Sequence, residues 1–240
     1  MNRIRIKRVL LRLKSYIGVL RRVITGEANV SYSQYGEDIL LKNLMSEKFD
    51  AIKYRGFWVD IGAHHPERFS NTKLFSDRGW IGINVDASPK SIAIFNKKRK
   101  SDINVNVGIG HVRGNMKYFE YAESALNTFS EKFAAQMEAK GIKCIGEKMV
   151  EVITVEDLLD RYLPRKRHID FFSIDTEGLD LTVLQSNNWD KYRLDFILIE
   201  IHSESGNDTI VNGEVANFLK DKGYVFMAQS YCTTLFGNKL

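Results

Sequence analysis

The chain is poor in residues that would cross-link it or carry it through a membrane. Its 240 residues include two cysteines and three prolines. Cys144 and Cys232 stand 88 positions apart without disulfide-scaffold spacing, which reads as two packed thiols in a reducing, cytoplasmic compartment. No apolar run approaches the length of a membrane-spanning helix, and no internal repeat or low-complexity segment interrupts the sequence. The first 26 residues contain no acid at all, yet they hold Arg3, Arg5, Lys7, Arg8, Arg12, Lys14, Arg21 and Arg22. The other 214 residues carry 27 basic and 30 acidic groups, so the formal net charge of +5 belongs to the N-terminal segment.

Within that segment Ile6, Leu10, Leu13, Ile17, Leu20 and Ile24 recur at alternating spacings of four and three, which predicts a helix with one apolar stripe among cations. Three surfaces suit residues 1–26: an anionic membrane leaflet at the inner face of the membrane, the chain's own domain, or a partner copy in a homo-oligomer. A cleaved signal peptide fits poorly, because the charge-free stretch Ser15 to Leu20 is too short for an apolar core. Nucleic acid is disfavoured by a single aromatic, Tyr16, and a slightly acidic domain behind it. The expected organisation is a basic amphipathic segment over 1–30 and one domain over 31–240.

Beyond Gly26, short apolar β-type runs alternate with helical stretches. Strands are predicted at 57–62, 81–86, 103–109, 169–174, 196–201 and 224–229. Helices are predicted from Ile39, near 70–78, 88–98, 154–163, 178–187 and 210–222. This pattern predicts an α/β fold with a doubly wound, Rossmann-like parallel sheet. Residues 111–152 break the rhythm. Met116 to Tyr121 alternates like an edge strand, Glu131 to Lys140 reads as a short helix, and Met149 to Val152 as another strand, so an insertion is expected to form part of a substrate wall.

In a doubly wound sheet the ligand lies beyond the carboxyl ends of the strands. An apolar run stopping at Asp60-Ile61-Gly62, with a second ending in Asp86, is how such a sheet builds an adenosine pocket. The glycine admits a close approach, and the second carboxylate accepts from both ribose hydroxyls. Later strands end in Asp175-Thr176-Glu177 and Glu200-Ile201-His202. Four carboxylate-tipped strands concentrate negative charge in one crevice, which calls for a sulfonium, a metal ion or both. A nicotinamide-dependent oxidoreductase shares the layout, but Gly62-Ala63-His64-His65-Pro66 lacks the later glycines that admit a pyrophosphate. A non-catalytic glycan- or membrane-binding module on the same fold is the other alternative, and the intact acids speak against it.

Six segments in order resemble the FkbM family of S-adenosylmethionine-dependent methyltransferases. They are Ser33-Gln34-Tyr35-Gly36-Glu37-Asp38, Val59 to Pro66, Ser70-Asn71-Thr72, Val85 to Pro89, Leu126 to Ser130, and Ser173 to Asp180 followed by Ile199-Glu200. The resemblance implies the class I methyltransferase fold and O-methylation of a sugar hydroxyl in a glycan, glycolipid or related metabolite, free or lipid-linked, as in polysaccharide biosynthesis. It places Asp60 and Gly62 beside the amino-acid part of the cofactor, Asp86 on the ribose, and Gln34 and Asn71 near cofactor or acceptor. His64, His65 and Asn127 fall on the acceptor side, and the two histidines depart from the small residues common at this turn.

Methyl transfer needs an aligned hydroxyl and a proton acceptor. Asp175, Glu177 and His202 are the catalytic candidates, since a spacing of two puts side chains on one side of an extended backbone. Asp175, Glu200 and His202 also make a plausible set for Mg2+ or Mn2+. Duller readings compete: Asp86 as the N-cap of the following helix, Asp175 or Glu177 as turn acids, His202 as a rim residue, and one of His64 and His65 as structural. His111 and His168 show no partner pattern. Lys97-Lys98-Arg99-Lys100 reads as a solvated charge run, and Trp58, Trp80 and Trp189 as packing residues.

Overall fold

The computed structural model describes residues 15–201 and 212–239, and the chain divides into two units, Met1–Ser31 and Tyr32–Leu240. In the first, residues 15–24 form helix α1. The predicted stripe positions Ile6, Leu10 and Leu13 lie outside the described residues. Among the described residues no helix is long and apolar enough to cross a membrane.

The second unit is built on a seven-stranded sheet. Strands β1 (Phe57–Ile61), β2 (Ile81–Asp86), β3 (Ile103–Asn106), β7 (Ile169–Ile174) and β8 (Leu194–Glu200) are parallel, and the order is β3-β2-β1-β7-β8-β10-β9. The antiparallel β10 (Thr233–Asn238) sits between β8 and β9 (Tyr224–Ser230). Every residue of β1 and β7 is buried, including Asp60, Asp170 and Ser173, as their central place in a sheet covered on both faces demands.

Side chains of β1 alternate between two cores. Phe57, Val59 and Ile61 pack with Val155, Leu158 and Leu159 of α7 (Val155–Tyr162), Val183 and Leu184 of α8 (Asp180–Gln185) and Leu219 of the last helix, Glu214–Asp221. Trp58 faces the other way, into Leu41 of α2 (Glu37–Leu44), Phe49 of α3 (Ser46–Asp50) and Phe75 of α4 (Lys73–Asp77). Helices thus cover both faces, and the doubly wound architecture is the one expected. All three tryptophans are buried packing residues.

Two predicted elements differ. The run 103–109 is not one strand: it breaks after Asn106, and Gly108–Ile109 becomes β4 of a second sheet ordered β4-β6-β5, with β5 (Gly114–Glu120) and β6 (Gly146–Ile153) antiparallel. A Cβ on Gly108 would stand 2.5 Å from Phe129 and 2.7 Å from Val152, so the bend depends on that glycine. This small sheet, with α6 (Glu131–Ala139), is the insertion read over 111–152. Strand β10 was not anticipated. Its hairpin turns at Tyr231-Cys232 without the Asn or Gly that marks tight turns, and it ends in Gly237-Asn238, which reads as loop.

At the amino ends of β7 and β8 a polar anchor ties distant segments together. The buried Asp170 accepts from Lys48 Nζ (2.9 Å), Tyr54 Oη (2.5 Å) and the Phe57 amide (2.8 Å). Lys48 also reaches Asp195, which pairs with His168 at 2.9 Å. His168 therefore has a partner, contrary to its reading from sequence.

Strand order reverses between β1 and β7, and there the two backbones meet beyond the strand ends. The Asp175 amide donates to the Ile61 carbonyl at 3.0 Å. Gly62 follows at φ +81°, with its missing Cβ pointing to within 1.8 Å of the Asp175 carbonyl oxygen. The glycine is thus required by the neighbouring strand as well as by any ligand. Gly62→Ala is expected to destabilise the fold by about 2–4 kcal/mol through strain and displacement of β7, measured by urea unfolding; wild-type stability would show that the two backbones part freely.

Candidate active site

Beyond the carboxyl ends of β1, β2, β7 and β8 lies a cavity of about 470 Å³. It is lined by Gln34, Asp60, Gly62, His64, Asn71, Asp86, Asn127, Asp175, Glu177 and Glu200. Ten of the candidates read from sequence therefore converge, at the switch point where an open α/β sheet holds its ligand. His65 does not line the cavity, and His202 lies outside the described residues.

Asp86 closes β2, where its Oδ2 accepts from the His64 amide at 2.8 Å and its Oδ1 from the Ser88 amide at 2.7 Å. It does not cap the next helix, α5 (Pro89–Lys98). Ser88 is the N-cap, accepting from the Ser91 amide. Each Asp86 oxygen keeps acceptor capacity for a ligand hydroxyl. Asp60, also buried, accepts from Thr72 Oγ1 at 3.2 Å. Asn71 donates to Ser173 Oγ at 3.2 Å on the adjacent strand. Burial pushes the Asp60 carboxyl up to about 6, opposed by Ser173, Arg99 and Thr72, and burial does the same to Asp86 against its amide donors.

The histidine pair separates into two roles. His64 sits at φ +52° and its Nε2 lies 3.1 Å from Ser124 Oγ of the insertion, so its ring joins the loop after β1 to the insertion. His65 turns away. Its Nδ1 accepts from the Glu67 and Arg68 amides at 3.1 and 2.9 Å, which makes it the structural member. Asn127 lines the cavity but spends its Oδ1 on the Tyr121 amide at 2.8 Å, shaping the insertion loop.

After β7 the chain turns sharply instead of staying extended. Asp180 holds that turn: its Oδ1 accepts from the Thr176 amide (3.0 Å) and hydroxyl (2.9 Å), its Oδ2 from the Gly178 amide (3.3 Å). Glu177 adopts φ +50°, and its carbonyl accepts from Thr128 Oγ1 of the insertion at 2.9 Å. The turn does what an extended backbone was expected to do. Carboxylate oxygens of Asp175, Glu177 and Glu200 lie within 4.8 Å of one another. Asp175 is open to the cavity, and partial desolvation by the surrounding chain, together with the charges of Glu200 and Glu177, drives its carboxyl above its ordinary range.

Several lining residues were missed. Glu37, buried at the start of α2, accepts from the Tyr35 amide (2.7 Å) and from Thr233 Oγ1 (3.2 Å), so the Ser33–Asp38 segment is bound to the β9–β10 hairpin. The sequence placed it only within the Ser33–Asp38 segment, with no role of its own. Cys232 donates to Glu200 Oε1 at 2.7 Å inside the cavity, and Cys144 is exposed, so neither is a simply packed thiol. Arg99 overturns the solvated reading of its charge run. It is buried, donating to the Pro66 carbonyl (2.6 Å) and Ser70 Oγ (3.3 Å), and thereby fastens the loop that presents Arg68, Phe69 and Asn71. Its alternating neighbours gave no hint that one cation in four turns inward.

Among the described residues seven carboxylates line the cavity, Glu37, Asp60, Asp86, Glu123, Asp175, Glu177 and Glu200, against one arginine, Arg68. That arginine is already engaged by both oxygens of Glu123 at 3.1 Å. The cavity therefore favours a cation. It is also locally strained: of five non-glycine residues with positive φ, His64, Phe69, Glu177 and Tyr231 border it.

The family profile of the methyltransferase FkbM domain matches residues 60–226. No curated protein matches the chain in sequence. Among solved structures it is similar to a METTL16 methyltransferase domain, at 10% identity and a TM-score of 0.47 over 84% of this chain. The chain spans 65% of the length of that domain. The N-terminal domain of human METTL16 in complex with SAH matches at 11% identity and a TM-score of 0.43, over 84% of this chain and 68% of that one. The Burkholderia thailandensis 1,6-didemethyltoxoflavin-N1-methyltransferase with bound S-adenosylhomocysteine matches at 11% and 0.40, over 95% and 90%.

With its folded value near 6 against an ordinary 3.8, Asp60 binds more proton in the folded than in the unfolded chain between those values. The stability that the protonated form supplies is present at acid pH and is lost as pH rises through about 6. Between pH 4 and 7 the wild type is expected to lose about 3 kcal/mol relative to Asp60→Asn in urea unfolding; a difference that does not vary with pH would mean that this carboxyl titrates as it does in water.

Proposed function

The chain belongs to the FkbM methyltransferase family and carries an S-adenosylmethionine-dependent methyltransferase fold, and from that premise we propose that it O-methylates a sugar hydroxyl. The observation that carries the proposal is the cluster of Asp175, Glu177 and Glu200, placed beside the acidic cofactor crevice. The residues present fit the cofactor. Asp86 ends β2 with spare acceptor capacity for the ribose hydroxyls, Asp60 and the Gly62 turn flank the space for the amino-acid portion, and the cavity's negative charge suits a sulfonium. When bound, S-adenosylmethionine supplies an already activated methyl group.

What remains for the protein is to align a hydroxyl and take its proton. Asp175 fits that task, because it is open to the cavity, and partial desolvation and the neighbouring Glu200 and Glu177 carboxylates raise its proton affinity above that of an ordinary aspartate. Glu177 and Glu200 maintain that affinity, while Asp180 fixes the turn that holds Asp175 and Glu177 together. A second reading is favoured by the 4.8 Å convergence of the three carboxylates, which offers oxygen ligands to Mg2+ or Mn2+. In it Glu177 takes the place that sequence reasoning gave to His202.

Asp175→Asn is expected to lower turnover by about 10²–10⁴-fold while calorimetric affinity for S-adenosylmethionine stays near wild type. Asp86→Ala is the converse, losing about 2–4 kcal/mol of cofactor affinity. Activity that survives EDTA supports Asp175 as base, and activity abolished by EDTA and restored by Mg2+ supports the cation. A fully active Asp175→Asn enzyme excludes both. The acceptor is sought with a panel of neutral glycosides and lipid-linked glycans.

For residues 1–26 the proposal is peripheral attachment to an anionic leaflet, supported by eight cations around an apolar stripe. The full chain is expected to float with phosphatidylserine vesicles at 0.1 M salt and a 27–240 chain to stay behind; equal flotation removes the segment from this role.

A further inference from the structure

Three aromatic rings stand in solvent at the cavity and take no part in either core. Tyr35 is 43% exposed, Tyr231 72% and Phe69 41%, and all three line the cavity. Soluble domains seldom leave large rings open around one pocket without an occupant for them. Tyr35 and Tyr231 form a pair, with centroids 4.4 Å apart and planes at 40°.

The pair is held by its backbone more than by burial. Ser230 Oγ donates to the Tyr35 carbonyl at 2.5 Å, and the Tyr35 amide donates to Glu37 at 2.7 Å. Gln34 Nε2 donates to the Tyr35 hydroxyl at 3.1 Å. Tyr231 sits at φ +52°, a conformation that strains a bulky residue, with its carbonyl accepting from Gln229 Nε2 at 2.6 Å. Two loops 196 residues apart in sequence are therefore joined so that the two rings pack against each other at a tilt with their outer faces open, and the next residue, Cys232, binds Glu200 of the carboxylate cluster.

We propose that Tyr35 and Tyr231 are an acceptor platform that receives the apolar C–H face of a neutral pyranose, with Gln34 and Asn71 beside it as hydroxyl partners. The inference rests on the methyl-transfer reading of the same cavity and names the part that selects the acceptor. An aromatic ring carries negative charge on its faces, which attracts the electropositive C–H groups on one side of a sugar ring. The hydroxyls then lie at the edge, within reach of amide and carboxylate groups. Charge narrows the class further. Seven carboxylates repel a uronate or a phosphate at the reacting sugar, so the accepted unit is uncharged.

The test is saturation-transfer NMR with protein saturated in S-adenosylhomocysteine and a set of methyl pyranosides, each neutral sugar paired with its uronate. Neutral glycosides are expected to bind. Binding should fall at least tenfold in Tyr231→Ala and Tyr35→Ala, persist in Tyr231→Phe, and be weaker by a similar factor for the uronates. Calorimetric affinity for S-adenosylmethionine and thermal unfolding should be unchanged in these variants, since the rings lie outside the core. No binding of any glycoside to the wild type, or equal binding to wild type and alanine variants, overturns the platform. Glycosides that bind through the tyrosines but are never methylated leave the platform standing and overturn the transfer reaction.

Discussion

The contact between Gly62 and the Asp175 carbonyl fixes how close the two halves of the sheet come at the point where their order reverses. With no side chain at 62, β1 and β7 continue one residue past their ladder, and the turns that follow both open into a single space. Asp60, Asp86 and Glu200 lie on three strands and Asp175 just past a fourth, and they share one cavity because those strand ends are drawn together there. The loop after β1, the Asp180-braced turn and the insertion all take their positions from this junction. Thr128 on Glu177 and Ser124 against His64 carry it outward to the small sheet.

That convergence has an electrostatic consequence. Burial raises the proton affinity of Asp60 and Asp86, and the charges of Glu200 and Glu177 add to that of Asp175, while the cations near them are engaged with structure: Arg68 with Glu123, Arg99 with the Pro66–Ser70 loop. The unliganded site is thus charged against itself, and a sulfonium or divalent cation relieves it. Burial of Asp60 and Asp86 and crowding of Asp175 are one arrangement seen at two depths. Asp60 and Asp86 stand on β1 and β2, and Asp175 stands with Glu177 and Glu200.

The sheet was legible because its strands are apolar, compact and capped by acids, and periodicity alone places β1, β2, β7 and β8 to within two residues. The convergence of Asp60, Gly62, Asp86, Asp175, Glu177 and Glu200 follows from one topological rule about strand ends, while Gln34, His64, Asn71 and Asn127 were named by the family resemblance. Roles were harder. That His65 is structural while His64 faces the cavity depends on a left-handed backbone at His64, which no residue type announces. Arg99 looked like its solvated neighbours because burial is decided by the loop it meets. Tyr231 and Cys232 carry no motif, and Tyr35 and Glu37 belong to the Ser33–Asp38 segment of the resemblance, which gives neither a role until the β9–β10 hairpin is seen against them. Strand β10 itself was hidden by a turn without glycine.

The polar anchor at the opposite end of the sheet bears on how the chain assembles. Asp170 and Asp195 join Lys48, Tyr54 and Phe57 across separations of 113 to 147 residues, and β1 gains its second neighbour only when β7 is present. During synthesis the first three strands emerge with Trp58 and its neighbours uncovered on one edge, and the sheet centre closes after roughly three quarters of the chain has left the ribosome. Assembly of this kind is governed by long-range pairing and is slow. Until then β1 keeps one unpaired apolar edge, so for about half of its synthesis the nascent chain exposes a strand open to pairing with another chain.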